Sequence, residues 1–163
     1  MSRHCENARG SLKEFLEEAA RTNTRTPLLR FDSQTLTYGE IDSRANRIAR
    51  SLGRLGIKKG DKVSTILGNS PEQLCLWFAL AKIGAVWVPL NTGLAAEELG
   101  YSIRDSEARA VVIEEAFQEK YEKIRSGLDA VALEIGLGAG APGLPFSSLL
   151  EEKDSPPEAD LRR

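Results

Sequence analysis

Reactive side chains are scarce in this sequence. Among 163 residues there are two cysteines and one histidine, which removes whole classes of chemistry. Cys5 lies near the start and Cys75 inside an apolar, helix-like segment, so no disulfide framework is expected and both thiols are read as free. His4 has no second histidine with which to complete a metal set of about four ligands. The same shortage leaves Ser64, Ser70 and Ser147 without the base that a nucleophilic triad requires.

Charge of one sign is missing as well. The 22 Lys and Arg nearly balance 24 Asp and Glu, for a net charge of -2, so nothing offers a basic surface to nucleic acid. No long hydrophobic run occurs: the stretch from Leu74 to Leu90 is broken by Lys82 and Gly84 and meets Pro89, too interrupted to span a bilayer. MSRHCENARG lacks the apolar core of a signal peptide, and a cytoplasmic protein is the expectation.

What is present is a sequence of well-punctuated elements. Ser11 with Glu14, and Thr37 with Glu40, have the spacing of capping boxes, which predicts one helix from Leu12 to about Thr22 and a second beginning after Thr37. Ile41, Ala45, Ile48, Ala49, Leu52 and Leu55 recur at helical spacing in the second, and Gly56 suits its left-handed end. Its polar face, with Asp42, Arg44, Arg47 and Arg50, reads as solvated surface. Between the two helices, PLLRF and QTLTY read as a hairpin turning at Asp32 and Ser33 and edging a sheet.

Ser70 and Pro71 start a third helix, which Gly84 stops. KVSTIL before it, and AVWVPL, RAVVIEE and DAVALEI after it, read as strands, separated by helices at Pro71 to Ile83, Ala95 to Ser106 and AFQEKYEKIR. Alternating strands without a polar face predict an α/β fold: an open, mostly parallel sheet with helices on both faces and a short edge hairpin. Ligands of such sheets bind beyond the carboxyl ends of the strands, which directs attention to the loops after Leu67, Leu90 and Ile113.

The expected organisation is a flexible N-terminus at 1–10, an α/β unit at 11–135 and a connector-like segment at 136–163. GLGAGAPG, from Gly136 to Gly143, could approach a pyrophosphate, but Pro142 and Pro145 interrupt the helix that a phosphate loop needs. GNSP, from Gly68 to Pro71, has free amides that suit either an anion or simple capping by Ser70.

Several blocks taken together resemble the N-terminal part of the adenylate-forming acyl-CoA synthetases and related AMP-dependent ligases. LTYGEI at Leu36 to Ile41 is similar to the family's LTYxEL, and LAKIGAVWVPLN at Leu80 to Asn91 to its LKxGAxxVPLN. GIKKGDKV, NSPE and AAEELGYSIRDSEARAVV follow in family order, so the likeness runs from about Leu12 to Ile113. It implies a two-step reaction: a carboxylate and ATP give an acyl-adenylate, and coenzyme A then displaces AMP as a thioester forms.

The resemblance also implies ATP, magnesium, CoA and a carboxylic acid as ligands of the full-length family, with the remainder of the ligase as this chain's partner. The family's Pro-Lys-Gly phosphate loop, adenine segment, ribose aspartate and mobile-domain lysine are not found in these 163 residues, so catalytic residues are expected to lie elsewhere and this part to be inactive alone. By the same resemblance, Thr92, Gly93, Lys120 and Lys123 are candidates for contacts with the CoA nucleotide, against a turn glycine and solvated lysines. A stand-alone, non-catalytic α/β interaction module derived from such a ligase is the alternative. An exposed apolar edge or face, and self-association through it, would accompany the fragment.

Overall fold

A computed structural model describes residues 10–154, so the readings made for His4 and Cys5 lie outside the described residues. Helix α1 (Leu12–Thr22) begins as its box predicts: Glu14 N donates to Ser11 Oγ at 3.2 Å and Ser11 N to Glu14 Oε2 at 2.8 Å. Thr37 and Glu40 repeat this at the start of α2 (Tyr38–Arg54), with distances of 3.3 and 2.8 Å. Between the two helices, β1 (Pro27–Phe31) and β2 (Gln34–Thr37) pair antiparallel around Asp32, whose φ of 48° is the left-handed backbone that Asp tolerates in tight turns.

The hairpin does not join the main sheet. It forms a separate two-stranded sheet whose Leu28, Leu29 and Leu36 pack on the helices. Apolar contact, rather than a backbone ladder, holds it in place.

The main sheet is built from β3 (Lys62–Ile66), β4 (Val86–Pro89), β5 (Ala110–Glu114), β6 (Leu133–Leu137) and β7 (Leu144–Pro145). All four pairings are parallel, in the order β4-β3-β5-β6-β7. Side-chain alternation divides the core in two. Val63, Ala110 and Val112 face α1, α2 and α3 (Pro71–Ile83), while Ile66, Val111 and Ile113 face α4 (Ala96–Asp105) and α5 (Gln118–Glu122). Helices therefore cover both faces, as the unbroken apolar strands required.

Three expectations shift. The helix expected over AFQEKYEKIR is a five-residue α5 between two 3-10 turns, because Tyr121 is fully buried and its hydroxyl donates to Glu134 Oε1 at 2.7 Å. The last predicted strand starts four residues later than expected, at Leu133 rather than Asp129. Finally, residues 136–150 are not a connector: they complete β6, form β7, and bury Phe146 and Leu149 in the α1–α3 core.

The glycine run serves this packing. A Cβ on Gly136 would sit 2.7 Å from the Pro142 carbonyl oxygen, and Gly143 holds a φ of 87° against the Glu134 backbone. Gly100, costly inside a helix on propensity alone, is buried where a Cβ would come within 3.2 Å of Ile124.

Candidate functional site

The sheet order places a switch point between β3 and β5, since the chain passes from β3 to β4 on one side and then to β5 on the other. That crevice is closed by the protein itself. Gly68 N donates to Glu114 Oε2 at 2.7 Å across the two carboxyl ends. Ser70 Oγ accepts from Gln73 N at 3.2 Å, with Pro71 at the first helical position. Within GNSP the Gly68 amide thus serves a carboxylate of the protein itself, while the Ser70 hydroxyl caps the helix.

The loop after β4 is fixed just as firmly. Leu90 N donates to Thr65 O at 2.9 Å, Gly93 N to Asn91 Oδ1 at 2.9 Å, and Leu94 N to Asn91 O at 3.1 Å. Lys120, on α5, reaches across and donates from Nζ to the carbonyls of Thr92 and Leu94 at 2.8 and 3.0 Å. Three of the four candidate residues, Thr92, Gly93 and Lys120, therefore meet in one cluster. Lys123 stands apart: it is exposed and, among the described residues, makes no hydrogen bond or ion pair. Lys120 spends its ammonium on two backbone carbonyls, so its visible role is to hold the turn that displays Gly93.

Separately, an apolar groove of about 310 Å³ opens between the hairpin, α3 and β4. Leu29 and Phe31 of the hairpin, Leu74 and Trp77 of α3, and Trp87 of β4 line it, with Asn69, Ser70 and Gln73 at the polar end. Trp87 is oriented by its Nε1–H bond to Thr65 Oγ1 at 3.0 Å, and the Trp77 and Trp87 rings lie 5.6 Å apart. Sequence reasoning missed the groove, because Trp77 and Trp87 read as one helical and one strand residue. Only the packing of α3 against β4 brings them together, with their ring planes tilted by 37°.

Among the described residues, the shifted groups are structural ones. Cys75 is a buried free thiol that burial pushes up to about 12, leaving it neutral and inert. Burial and the Glu134 hydrogen bond raise Tyr121. Burial opposes ionisation of Glu134 itself, but hydrogen bonds from Arg125 and Tyr121 outweigh it and hold that carboxyl below its ordinary value.

These features define a parallel α/β domain covered on both faces, with an ordered loop cluster at the carboxyl ends of its strands. The AMP-binding enzyme family matches residues 16–160, and the chain belongs to that family. It is 34% identical over 122 residues to a crotonobetaine/carnitine–CoA ligase of Salmonella paratyphi A, covering 72% of this chain and 24% of that protein. It is 46% identical over 77 residues to the long-chain-fatty-acid–CoA ligase FadD13 of Mycobacterium tuberculosis, covering 47% of this chain and 15% of the relative.

Among solved structures, a Mycobacterium tuberculosis fatty acyl CoA synthetase superposes with a TM-score of 0.83 at 30% identity, over 92% of this chain and 30% of that one. The anthranilate CoA ligase AuaEII, in complex with anthranoyl-AMP, superposes with a TM-score of 0.84 over 94% of this chain and 30% of that one; at 24% identity it speaks to the fold alone. The chain thus spans about a quarter or less of the curated relatives it matches.

Proposed function

We propose that this chain is the N-terminal part of an ATP-dependent acyl-CoA ligase, which forms an acyl-adenylate from a carboxylic acid and ATP and passes the acyl group to CoA. The observation that carries this is the family match over residues 16–160, supported by the same fold in a fatty acyl CoA synthetase. The part described here supplies a scaffold and one rigid turn rather than the reacting groups. Phosphate chemistry needs positioned cations and dipoles, and the amide at the switch point is already bonded to Glu114. Its partner is the remainder of the ligase.

Two further statements belong to this reading. Thr92 and Gly93, held out by Lys120, are the surface that would meet the CoA nucleotide. The β4 edge, with Val86 45% exposed and the tryptophan groove alongside, is where the remainder packs and where isolated chains would associate.

Incubating the purified chain with ATP, magnesium, CoA and a panel of carboxylates should release no pyrophosphate above a blank; sustained release would contradict the proposed division of labour. Titration with CoA, followed by amide NMR, should move Gly93 and its neighbours. Unchanged shifts there would remove the CoA contact and leave the turn as plain scaffold.

A further inference from the structure

The polar face of α2, expected as solvated surface, carries a cleft of about 520 Å³ at its N-terminal half. Two backbone bonds build it. Tyr38 N donates to Thr26 O and Gly39 N to Thr24 O, each at 3.0 Å, which stitches the loop between α1 and β1 to the start of α2. A Cβ on Gly39 would lie 2.6 Å from Thr24 Cγ2, so glycine is what lets the two segments close. Arg25 is thereby brought beside Arg44 and Arg47, which share one face of the helix at a spacing of three residues.

The charges lining the cleft do not balance. Its one carboxylate, Glu40, is already engaged, accepting from Thr37 N and Thr37 Oγ1 at 2.8 Å. Those bonds, and to a lesser degree the Arg44 charge, hold it below its ordinary value. Arg25 and Arg44 make no hydrogen bond or ion pair among the described residues. Arg47 is fixed by Nη1, which donates to Leu150 O at 3.4 Å, while its Nε is buried with no acceptor. Buried donors without acceptors are rare, and an oxyanion against this wall would supply the missing one.

The amides that open α2 are not free to bind an anion: Tyr38 N and Gly39 N are bonded to the loop and Glu40 N to Thr37 Oγ1. The side chains must therefore do it. One arginine fork fills both oxygens of a carboxylate, whereas a phosphate has enough oxygens and charge to engage two or three guanidiniums at once. A cleft with three of them suits the phosphate. Its volume also leaves room beyond a single phosphate, within the range of about 300–1,000 Å³ typical of small-molecule sites. We propose that this cleft binds the phosphate group of an organic phosphate, with Arg25 and Arg44 as the binding cations, Arg47 as the fixed wall and the Ser43 hydroxyl beside them. The site shares no residue with the Thr92, Gly93 and Lys120 cluster and does not rest on the ligase reading.

The test titrates inorganic phosphate and pyrophosphate into the whole chain, with acetate at matched ionic strength as the control, and follows amide and arginine Nε–H resonances by NMR. ATP and CoA are kept out of the probes, so the outcome is independent of the ligase activity. Saturating shifts are expected at Arg25, Ser43, Arg44 and the Arg47 Nε–H, with pyrophosphate bound about tenfold more tightly than phosphate. Arg25→Gln/Arg44→Gln removes two side chains that hold nothing else, so it should keep the urea midpoint and weaken pyrophosphate by at least about tenfold. Arg44→Lys, which keeps the charge and loses the fork, should fall between the two. A second arm sediments the chain with phosphatidylcholine vesicles, with and without phosphatidic acid. Retention by phosphatidic acid that the double variant loses would support the site with a lipid headgroup as carrier, and pyrophosphate binding without retention would support it with a soluble ester. Shifts that never saturate, an equal response to acetate, or unchanged pyrophosphate affinity in the double variant would overturn the proposal.

Discussion

Lysines carry much of the architecture at the scale of single residues. Lys82 is fully buried, with Nζ 2.9 Å from Glu17 and 2.8 Å from Asp42, so one ammonium joins α1, α2 and α3. Removing one partner of a buried pair costs about 3–5 kcal/mol, reduced here because Glu17 keeps a third of its side-chain exposure. Lys82→Met should therefore lower unfolding stability by about 2–4 kcal/mol, read as a fall in the urea midpoint, and Glu17→Gln by less. Sequence reasoning saw Lys82 only as a flaw in an apolar run, because its two partners are 65 and 40 residues away.

Lys120 shows the same limit. Its place near the loop after β4 came from family likeness, whereas its bonds to the Thr92 and Leu94 carbonyls depend on how α5 folds back over the sheet. Lys120→Met should leave the fold intact, cost about 1–2 kcal/mol and speed amide exchange at Gly93 and Leu94. Unchanged exchange there would remove its positioning role.

Glu134 has its carboxyl lowered, so its contribution to stability is present above the unfolded carboxylate pKa and is lost as pH falls through the folded one. An acid titration of stability should accordingly be flatter in Glu134→Gln than in the parent. Equal slopes would mean that the Arg125–Glu134–Tyr121 contacts add nothing.

Elements whose signals are local were legible, down to their terminal caps. The Ser11, Thr37 and Ser70 starts all form as their spacing implies, because a capping box, or the simple cap at Ser70, is satisfied within four residues. Thr37→Ala should cost about 1 kcal/mol, measurable by thermal or urea unfolding. Elements set by distant partners were not legible. Composition made residues 136–150 look like a connector, yet the glycines there admit the Pro142 and Glu134 backbones to close quarters, and Phe146 and Leu149 enter the core. The hairpin's detachment from the main sheet was hidden for a similar reason, since strand propensity says nothing about which sheet a strand joins.

On the scale of the whole molecule, the parallel sheet and its two covered faces followed from unbroken apolar strands alternating with helices. The site did not follow so directly. The sequence directed the search to the carboxyl ends of the strands, but only the fold showed that Glu114 bonds the Gly68 amide at the switch point and that Trp77 and Trp87 line a groove. No helix among the described residues is long and apolar enough to cross a membrane. The chain's own edges are β4 and β7, and the tryptophan groove lies along the first. If the remainder of a ligase packs there, the isolated chain should self-associate at high concentration in sedimentation analysis, and a charge at Val86 (Val86→Lys) should suppress this.

Silence in a pyrophosphate assay is expected of both a ligase part and an unrelated interaction module, so a gain of function discriminates more sharply. The direct measurement is a chimera in which this chain replaces the matching N-terminal portion of the Salmonella crotonobetaine/carnitine–CoA ligase, assayed for thioester formation. An N-terminal ligase part predicts product that depends on both ATP and CoA. A folded chimera that forms no thioester above background would contradict it.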